Sequence, residues 1–138
     1  LLYLVQGDVQ RLGYDLEFDG VSCVSSFGFP DLDSITGGIY NALRHRGYFA
    51  VTGTESSKIQ RYMEAIQSEL AKKIQDRVLR FTPKEIEKLK KVNELFGLNQ
   101  VKDSSKRVTD SLTRNGFQIN RVEPFYQNTC YFILAQRD

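Results

Sequence analysis

The sequence contains few of the residues from which metal centres and disulfide frameworks are built. Among its 138 residues there are two cysteines, Cys23 and Cys130, and one histidine, His45. These three residues cannot assemble a ligand cluster for zinc or iron, so no metal site is expected. Both cysteines sit in apolar, strand-like runs, so we predict buried free thiols and a reducing, cytoplasmic setting.

Long apolar runs and a strong net charge are also missing. No run approaches the roughly 18 apolar residues that a membrane span needs, and no signal peptide is recognisable. We therefore expect no membrane partner. The net charge of +2 is too small by itself to indicate nucleic-acid binding. The hydrophobic content of 41% and the charged content of 26% are ordinary values for a single globular domain over residues 1–138.

Short apolar runs alternate with amphipathic segments along the chain. The pattern predicts strands at residues 1–5, 18–27 and 48–53, followed late in the chain by a hairpin of strands at 117–125 and 129–137. Helical segments separate most of these strands. The order predicts an α/β fold with a mostly parallel sheet and an antiparallel closing strand.

A helix is predicted over residues 31–46, between the second and third strands. Asp33 or Ser34 is its expected N-cap, and Gly47 is its expected C′ residue. The pair Gly37-Gly38 inside this helix costs about 1 kcal/mol per residue relative to alanine. Such a cost indicates either a close approach of the backbone to a neighbouring element or a late helix start.

Three further helices are predicted between the third strand and the hairpin. The first is a long amphipathic helix that begins at Ser56 or Ser57. The second begins at a capping box formed by Thr82 and Glu85. The third covers residues 104–114 and turns Val108 and Leu112 inward.

Positive charge is concentrated in this helical part. Between Glu55 and Arg107, thirteen Lys and Arg residues face eight Asp and Glu residues. The excess admits a nucleic-acid or acidic partner. However, Lys and Glu interleave at helical spacing, which favours a solvated amphipathic face.

Acidic and small polar residues follow the first two predicted strands. Gly7 and Asp8 come directly after the first strand, and the second strand ends in the polar and small residues of "SCVSSFGF". The carboxyl ends of parallel strands meet at one edge of a sheet, where α/β proteins bind their ligands. The sequence therefore predicts a ligand site at this edge.

With these motifs in order, the chain resembles the second half of a class I S-adenosylmethionine (SAM)-dependent methyltransferase. "VQGDVQRL" resembles the third-strand motif of that family, "FDGVSCVSSFGF" the fourth-strand motif, and "ALRHRGYFAVTG" the turn into strand five. "RNGFQINRV" and "CYFILAQR" resemble the closing helix and strands six and seven. The resemblance covers residues 1–53 and 104–138. It implies a Rossmann-like methyltransferase sheet with an antiparallel C-terminal hairpin strand and a helical insert at 55–99, which would serve as a lid.

The resemblance implies that SAM is the cofactor and that two groups of residues hold it. Asp8 would accept a hydrogen bond from the adenine amine, and the backbone N–H of Val9 would donate to a ring nitrogen. Cys23, Val24 and Ser25 would lie beside the methionine part. The alternatives are that Asp8 caps the following turn and that the other three residues belong to the core and a loop.

Acceptor-binding residues are expected immediately after the donor residues. Ser26, Phe27 and Phe29 would wall an acceptor pocket, although core packing is an alternative for the phenylalanines. Val24-Ser25-Ser26-Phe27 stands where family members that methylate amide or adenine amines carry Asn-Pro-Pro-Tyr, so a small-molecule acceptor is favoured. Methyl transfer depends largely on positioning, and no catalytic acid or base is predicted.

Two departures from the family pattern concern whether the methyltransferase-like domain is complete. His45-Arg46-Gly47 replaces the usual Pro-Gly-Gly, and the glycine-rich loop and the ribose-binding acid of the family have no counterpart. In the family's strand order, 3-2-1-4-5-7-6, two strands separate the predicted strands at 1–5 and 18–27. An unfilled gap would leave backbone groups unpaired. We therefore expect an incomplete domain that lacks the first two strands. The gap would be closed by upstream residues, by a homo-oligomer or complementing chain, or by direct pairing of strands three and four.

Three functions remain open on this reading. The favoured function is a SAM-dependent methyltransferase acting on a small molecule by direct displacement. The first alternative is a catalytically inactive methyltransferase-like subunit or interaction module. The second alternative is an RNA or protein methyltransferase that uses the basic helical insert as its docking surface.

Overall fold

The computed structural model of the protein describes residues 5–24, 31–76, 80–99 and 103–138. In these ranges one sheet is formed by four strands, which are β1 (Phe18–Val24), β2 (Leu43–Thr54), β3 (Gln118–Phe125) and β4 (Cys130–Gln136). Their order in the sheet is β1-β2-β4-β3. β1 pairs parallel with β2, and β4 pairs antiparallel with both of its neighbours. β1, β2 and β3 therefore point the same way, which confirms the predicted sheet and matches strands 4-5-7-6 of the family order.

Four helices accompany this sheet, which are α1 (Leu32–Ala42), α2 (Ile59–Gln75), α3 (Pro83–Asn99) and α4 (Ser105–Arg114). Of these, α1 and α4 pack on the sheet and form the core with it, whereas α2 contacts α3. Short 3-10 turns lie at Val9–Arg11 and Ser56–Lys58. Side chains of α1 and α4 meet alternate residues of the strands in one buried cluster, which includes Ile35, Ile39, Phe49, Val51, Val108, Leu112 and Ile133. Alternation of this kind is what a strand with one covered face requires.

The predicted helix over 31–46 is wrong at its C-terminal end. α1 ends at Ala42, and β2 begins at Leu43, which is buried and pairs with Phe18. The early start of β2 is irregular, with Arg46 in the left-handed region at φ 64°. A Cβ at Gly47 would lie 2.9 Å from the carbonyl oxygen of Arg44. Glycine is needed there because two backbone segments approach closely inside a strand, and not because a helix ends.

Two of the four helix starts were placed incorrectly from sequence. Asp31 is the N-cap of α1, because its Oδ1 accepts a hydrogen bond from Ser34 N at 3.2 Å. Residues 56–58 form a 3-10 turn, so α2 starts one turn later without a side-chain cap. The capping box of α3 is confirmed: Thr82 N donates to Glu85 Oε2 at 2.9 Å, and Glu85 N donates to Thr82 Oγ1 at 3.3 Å.

The contact between α1 and α4 accounts for one of the two glycines inside α1. Val108 and Leu112 are fully buried, as predicted. A Cβ at Gly37 would lie 3.0 Å from Asn115 Oδ1, and Asn115 Nδ2 donates to Thr36 Oγ1 at 2.7 Å. Gly37 is therefore explained by the close approach of α1 to the end of α4.

Some sequence predictions fall on the other residues of the chain. Of the strand predicted at 1–5, only Val5 lies in the described ranges, and it belongs to no strand. β1 ends at Val24, so Ser25, Ser26, Phe27 and Phe29 lie outside the described residues. Within those ranges the sheet places β1 at one edge, next to β2.

Candidate functional site

A cavity of about 550 Å³ lies where the parallel strands β1 and β2 end. Val24 of β1 pairs with Thr52 of β2, so these two residues reach the cavity side by side. We name it the strand-end cavity, and the described residues that line it are Val24, Thr52, Gly53, Thr54, Tyr62, Ile66, Glu69, Phe125, Tyr126 and Cys130. This is the edge at which α/β sheets bind ligands.

One face of α2 forms a wall of this cavity. Tyr62, Ile66 and Glu69 follow one another at spacings of four and three residues, which places them on the same side of a helix. The ring of Tyr62 meets the ring of Tyr126 edge-on, with the centroids 5.7 Å apart. Tyr126 Oη donates a hydrogen bond to Glu69 Oε2 at 2.6 Å. These contacts join α2 to the hairpin.

The hairpin turn is held in an unfavourable backbone conformation. Tyr126, Gln127 and Asn128 all have left-handed φ values, of 48°, 56° and 61°. This region costs a non-glycine residue roughly 1–2 kcal/mol. The carbonyl oxygen of Tyr126 accepts hydrogen bonds from Thr129 N at 3.1 Å and Thr129 Oγ1 at 2.6 Å, which stabilise the turn. Backbone strain of this kind clusters at functional sites.

The titratable groups of the cavity have defined charge states near neutral pH. The hydrogen bond from Tyr126, assisted by Lys73, lowers the pKa of Glu69. The same hydrogen bond raises the pKa of Tyr126 to about 12. Burial raises the pKa of Tyr62. The cavity therefore presents one carboxylate and two neutral phenols.

A buried polar pair lies behind the cavity at the end of β2. Tyr131 Oη donates to Asp103 Oδ1 at 2.5 Å, and both residues are shielded from solvent. A Cβ at Gly53 would overlap the Tyr131 hydroxyl and lie 2.7 Å from Asp103 Oδ2. Burial raises the pKa of both Asp103 and Tyr131. Gly53 thus allows this pair to pack directly against the strand that lines the cavity.

The donor-binding residues predicted from sequence fall in two places. Asp8 and Val9 line a second cavity of about 400 Å³, formed by residues between Val5 and Tyr14 and named here the N-terminal cavity. Val24 lines the strand-end cavity, while Cys23 is half-buried and packs against the core. The two predicted groups therefore line different cavities.

Asp8 stands at the entrance to a 3-10 turn. Its carbonyl oxygen accepts a hydrogen bond from Arg11 N at 3.0 Å, and its carboxylate lies 4.0 Å from Arg11 Nε. The Asp8 side chain is 58% exposed. Val9 is partly buried and packs against the core cluster. The carboxylate is thus accessible to a ligand.

Sequence analysis missed most residues of the strand-end cavity. Tyr62, Ile66 and Glu69 carried a usable signal, since their spacing places them on one side of the predicted amphipathic helix. Tyr126 was placed in a turn, and nothing in the local pattern indicated that it would reach α2. The apolar run around Tyr131 also carried a signal, because a buried tyrosine needs a partner for its hydroxyl.

Several features are not found in the described residues. Both cysteines are free thiols, as predicted, but only Cys130 is buried, and Cys23 is half-buried. In the described ranges no group of His, Cys, Asp and Glu residues is arranged to hold a metal ion. The helices in the same ranges include none that is long and apolar enough to cross a membrane.

Comparison with known proteins gives similarity in structure alone. No protein-family model and no curated protein matches the sequence. A SAM-dependent methyltransferase from Aquifex aeolicus matches 99% of this chain over 55% of its own length, with TM-score 0.60 and 12% identity. A SAM-dependent methyltransferase from Thermotoga maritima matches 99% of the chain over 64% of its own, with TM-score 0.61 and 16% identity. The magnesium protoporphyrin IX methyltransferase of Synechocystis, solved with bound SAH, matches 96% of this chain over 49% of its own length, with TM-score 0.51 and 14% identity.

These matches confirm the resemblance at the level of the fold. The chain has the fold of the class I SAM-dependent methyltransferases, and it spans roughly half to two thirds of the length of the three structures. A shared fold does not by itself transfer an activity, because function resides in the site.

Proposed function

We propose that the protein is a SAM-dependent methyltransferase that acts on a small molecule. The observation that carries the proposal is the strand-end cavity, which lies at the carboxyl ends of β1 and β2 in a methyltransferase fold. Its volume of about 550 Å³ is in the range of small-molecule sites. When bound, SAM would supply a methyl group on a sulfonium. A lone pair of the acceptor would form the new bond to the methyl carbon, and the C–S bond would break with its electrons on sulfur, so that S-adenosylhomocysteine leaves as a neutral thioether.

The residues present fit a donor of this kind. An adenine amine needs a hydrogen-bond acceptor, and the exposed carboxylate of Asp8 supplies one at the N-terminal cavity. Leu12 and Tyr14 add apolar surface to the same cavity. Val24 would stand at the other end of the donor, next to the acceptor. Cys23, which precedes Val24 in β1, would lie near the same end of the donor.

The acceptor is proposed to bind between the strand ends and α2, with α2 acting as a lid. Val24 is 71% exposed and Phe125 is 44% exposed, so the cavity offers apolar surface to a ligand. Glu69 gives the cavity a negative charge. A negative cavity supports a small neutral or cationic acceptor over a nucleic acid, whose phosphates would be repelled.

Calorimetric titration with SAM and S-adenosylhomocysteine tests this proposal. Wild-type protein is expected to bind both compounds. Asp8→Ala should weaken binding about tenfold, which corresponds to one hydrogen bond to a charged group. Asp15→Ala is the matched control, since Asp15 is an exposed acid in the same segment that does not line the N-terminal cavity.

Two outcomes would contradict parts of the proposal. Absence of binding by the wild-type protein would end the enzyme hypothesis and favour a catalytically inactive module. Equal binding by wild type and Asp8→Ala would remove Asp8 from the donor site.

The two free thiols support the cytoplasmic setting that we propose alongside this function.

A further inference from the structure

We propose that the strand-end cavity binds its acceptor through a protonated amine carried on an apolar body of about the size of one aromatic ring, with Glu69 as the residue that binds the amine. This inference rests on the proposed function and names the substrate class of the same site. It concerns binding, so it can be measured without methyl transfer.

The charge of the cavity favours a cation. Among the described residues that line it, Glu69 is the one with a full charge near neutral pH, and none is Lys or Arg. Lys73 Nζ lies 3.4 Å from Glu69 Oε1, but both side chains are about half exposed and Lys73 does not line the cavity. An exposed pair at this spacing is weak in water. A ligand ammonium held inside the cavity would compete well with it.

The aromatic walls favour the same kind of ligand. Tyr62, Phe125 and Tyr126 all line the cavity together with Glu69. The face of an aromatic ring attracts a cation, and several rings grouped together form a recurrent site for ammonium ligands. Val24 and Ile66 provide apolar surface for the rest of the ligand. An anionic ligand would meet the same carboxylate without a compensating base.

The hydrogen bond between Tyr126 and Glu69 prepares the carboxylate for binding. It occupies Glu69 Oε2 and fixes the side chain in one orientation, so the amine would bind at Oε1 in place of Lys73 Nζ. The lowered pKa of Glu69 keeps it ionised and makes it a poor proton acceptor. The amine would therefore lose its proton to water, keep the N–H electron pair on nitrogen, and then act as the nucleophile.

Binding of three probes of matched shape tests the inference. Phenethylamine is a cation, phenethyl alcohol is neutral and hydrocinnamate is an anion, and each is titrated into the protein without a methyl donor. We expect the amine to bind about tenfold more tightly than the alcohol, and hydrocinnamate to bind most weakly. Dissociation constants are expected to be in the range of about 1 mM or below.

Two variants on one helix separate Glu69 from general charge effects. Glu69→Gln should abolish the preference for the amine. Glu64→Gln makes the same charge change, and Glu64 lines a neighbouring cavity and not the strand-end cavity, so the preference should remain. In the wild-type protein, acidification through the pKa of Glu69, which is lowered from its ordinary value of 4.5, should weaken amine binding and leave alcohol binding unchanged.

The outcomes distinguish this inference from the proposed function. If the protein binds SAM but does not prefer the amine, or if both glutamate variants lose the preference equally, the inference is wrong and the methyltransferase proposal stands. If the amine is preferred through Glu69 but SAM does not bind, the methyltransferase proposal fails, and with it the assignment of the amine as a methyl acceptor.

Discussion

Replacing Tyr131 with phenylalanine should expose the energetic role of the buried pair behind the cavity. Tyr131 is 2% exposed and Asp103 is fully buried, and the hydroxyl donates to the carboxylate at 2.5 Å. Phenylalanine keeps the ring and its packing, so the change removes the hydrogen bond and leaves a buried carboxylate short of one donor. A hydrogen bond to a charged group contributes about 1.5–3 kcal/mol. We therefore expect Tyr131→Phe to lower the free energy of unfolding by about 2 kcal/mol near neutral pH.

The cost should depend on pH in a defined direction. Burial raises the pKa of Asp103 above its ordinary value of 3.8, while the Tyr131 hydroxyl opposes the shift. A raised folded-state pKa means that stability falls as pH rises from 3.8 through the folded value. Loss of the hydroxyl raises this pKa further, so the variant loses more stability across that window than the wild type. Below pH 3.8 Asp103 is protonated in both states, and the cost should fall to about 1 kcal/mol, as for a neutral hydrogen bond.

Urea denaturation followed by circular dichroism, near neutral pH and below pH 3.8, measures both effects. Tyr48→Phe is the matched control, because Tyr48 is 45% exposed and its loss of a hydroxyl should change stability by less than about 0.5 kcal/mol. The reasoning would be refuted by a Tyr131→Phe cost that equals the control, or by one that is the same at both pH values.

Two further changes test a helix cap and an ion pair between two helices. Thr82→Ala removes the oxygen that accepts a hydrogen bond from Glu85 N, so it should destabilise the start of α3 by about 1 kcal/mol. The helix content measured by far-ultraviolet circular dichroism should fall, and an unchanged helix content would contradict the capping role. Asp33 receives hydrogen bonds from Arg114 and Ser111, and Arg114 contributes most to lowering its pKa. The stabilisation by ionised Asp33 is therefore present above pH 3.8 and is lost as pH falls through the lowered pKa of the folded state. The wild-type protein should lose more thermal stability on acidification than Asp33→Asn does. Equal losses would exclude this contribution.

Elements whose signals are local were predicted well from sequence. The fourth helix was found because Val108 and Leu112 mark its inner face and Asn115-Gly116 follows its end, and the structure adds Ser104 as its N-cap. The hairpin was found because its two strands are long and separated by a short polar turn. The order of the four strands followed from the resemblance to a family, and not from local pattern.

The errors arise where tertiary contacts override local preference. Residues 43–47 read as the end of a helix because Gly47 follows a helical pattern. In the fold, Leu43 is buried and paired with β1. Burial and strand pairing therefore decide the conformation of this segment, against its local preference for helix. Likewise, Glu69 and Tyr126 are 57 residues apart in sequence, so their hydrogen bond depends on how the hairpin meets α2. No local pattern encodes such a distance.

If the proposed function is correct, donor and acceptor recognition reside in separable parts of this chain. The donor residues that we propose lie at the end of β1, where pairing with β2 holds the backbone, and in the segment around Asp8 that lines the N-terminal cavity. The acceptor wall comes from α2, which is joined to the hairpin by the Tyr126–Glu69 hydrogen bond and carries no fully buried residue. Because a half-exposed helix face tolerates substitution better than a packed strand does, acceptor choice can change through residues such as Tyr62 and Glu69 while donor binding is retained.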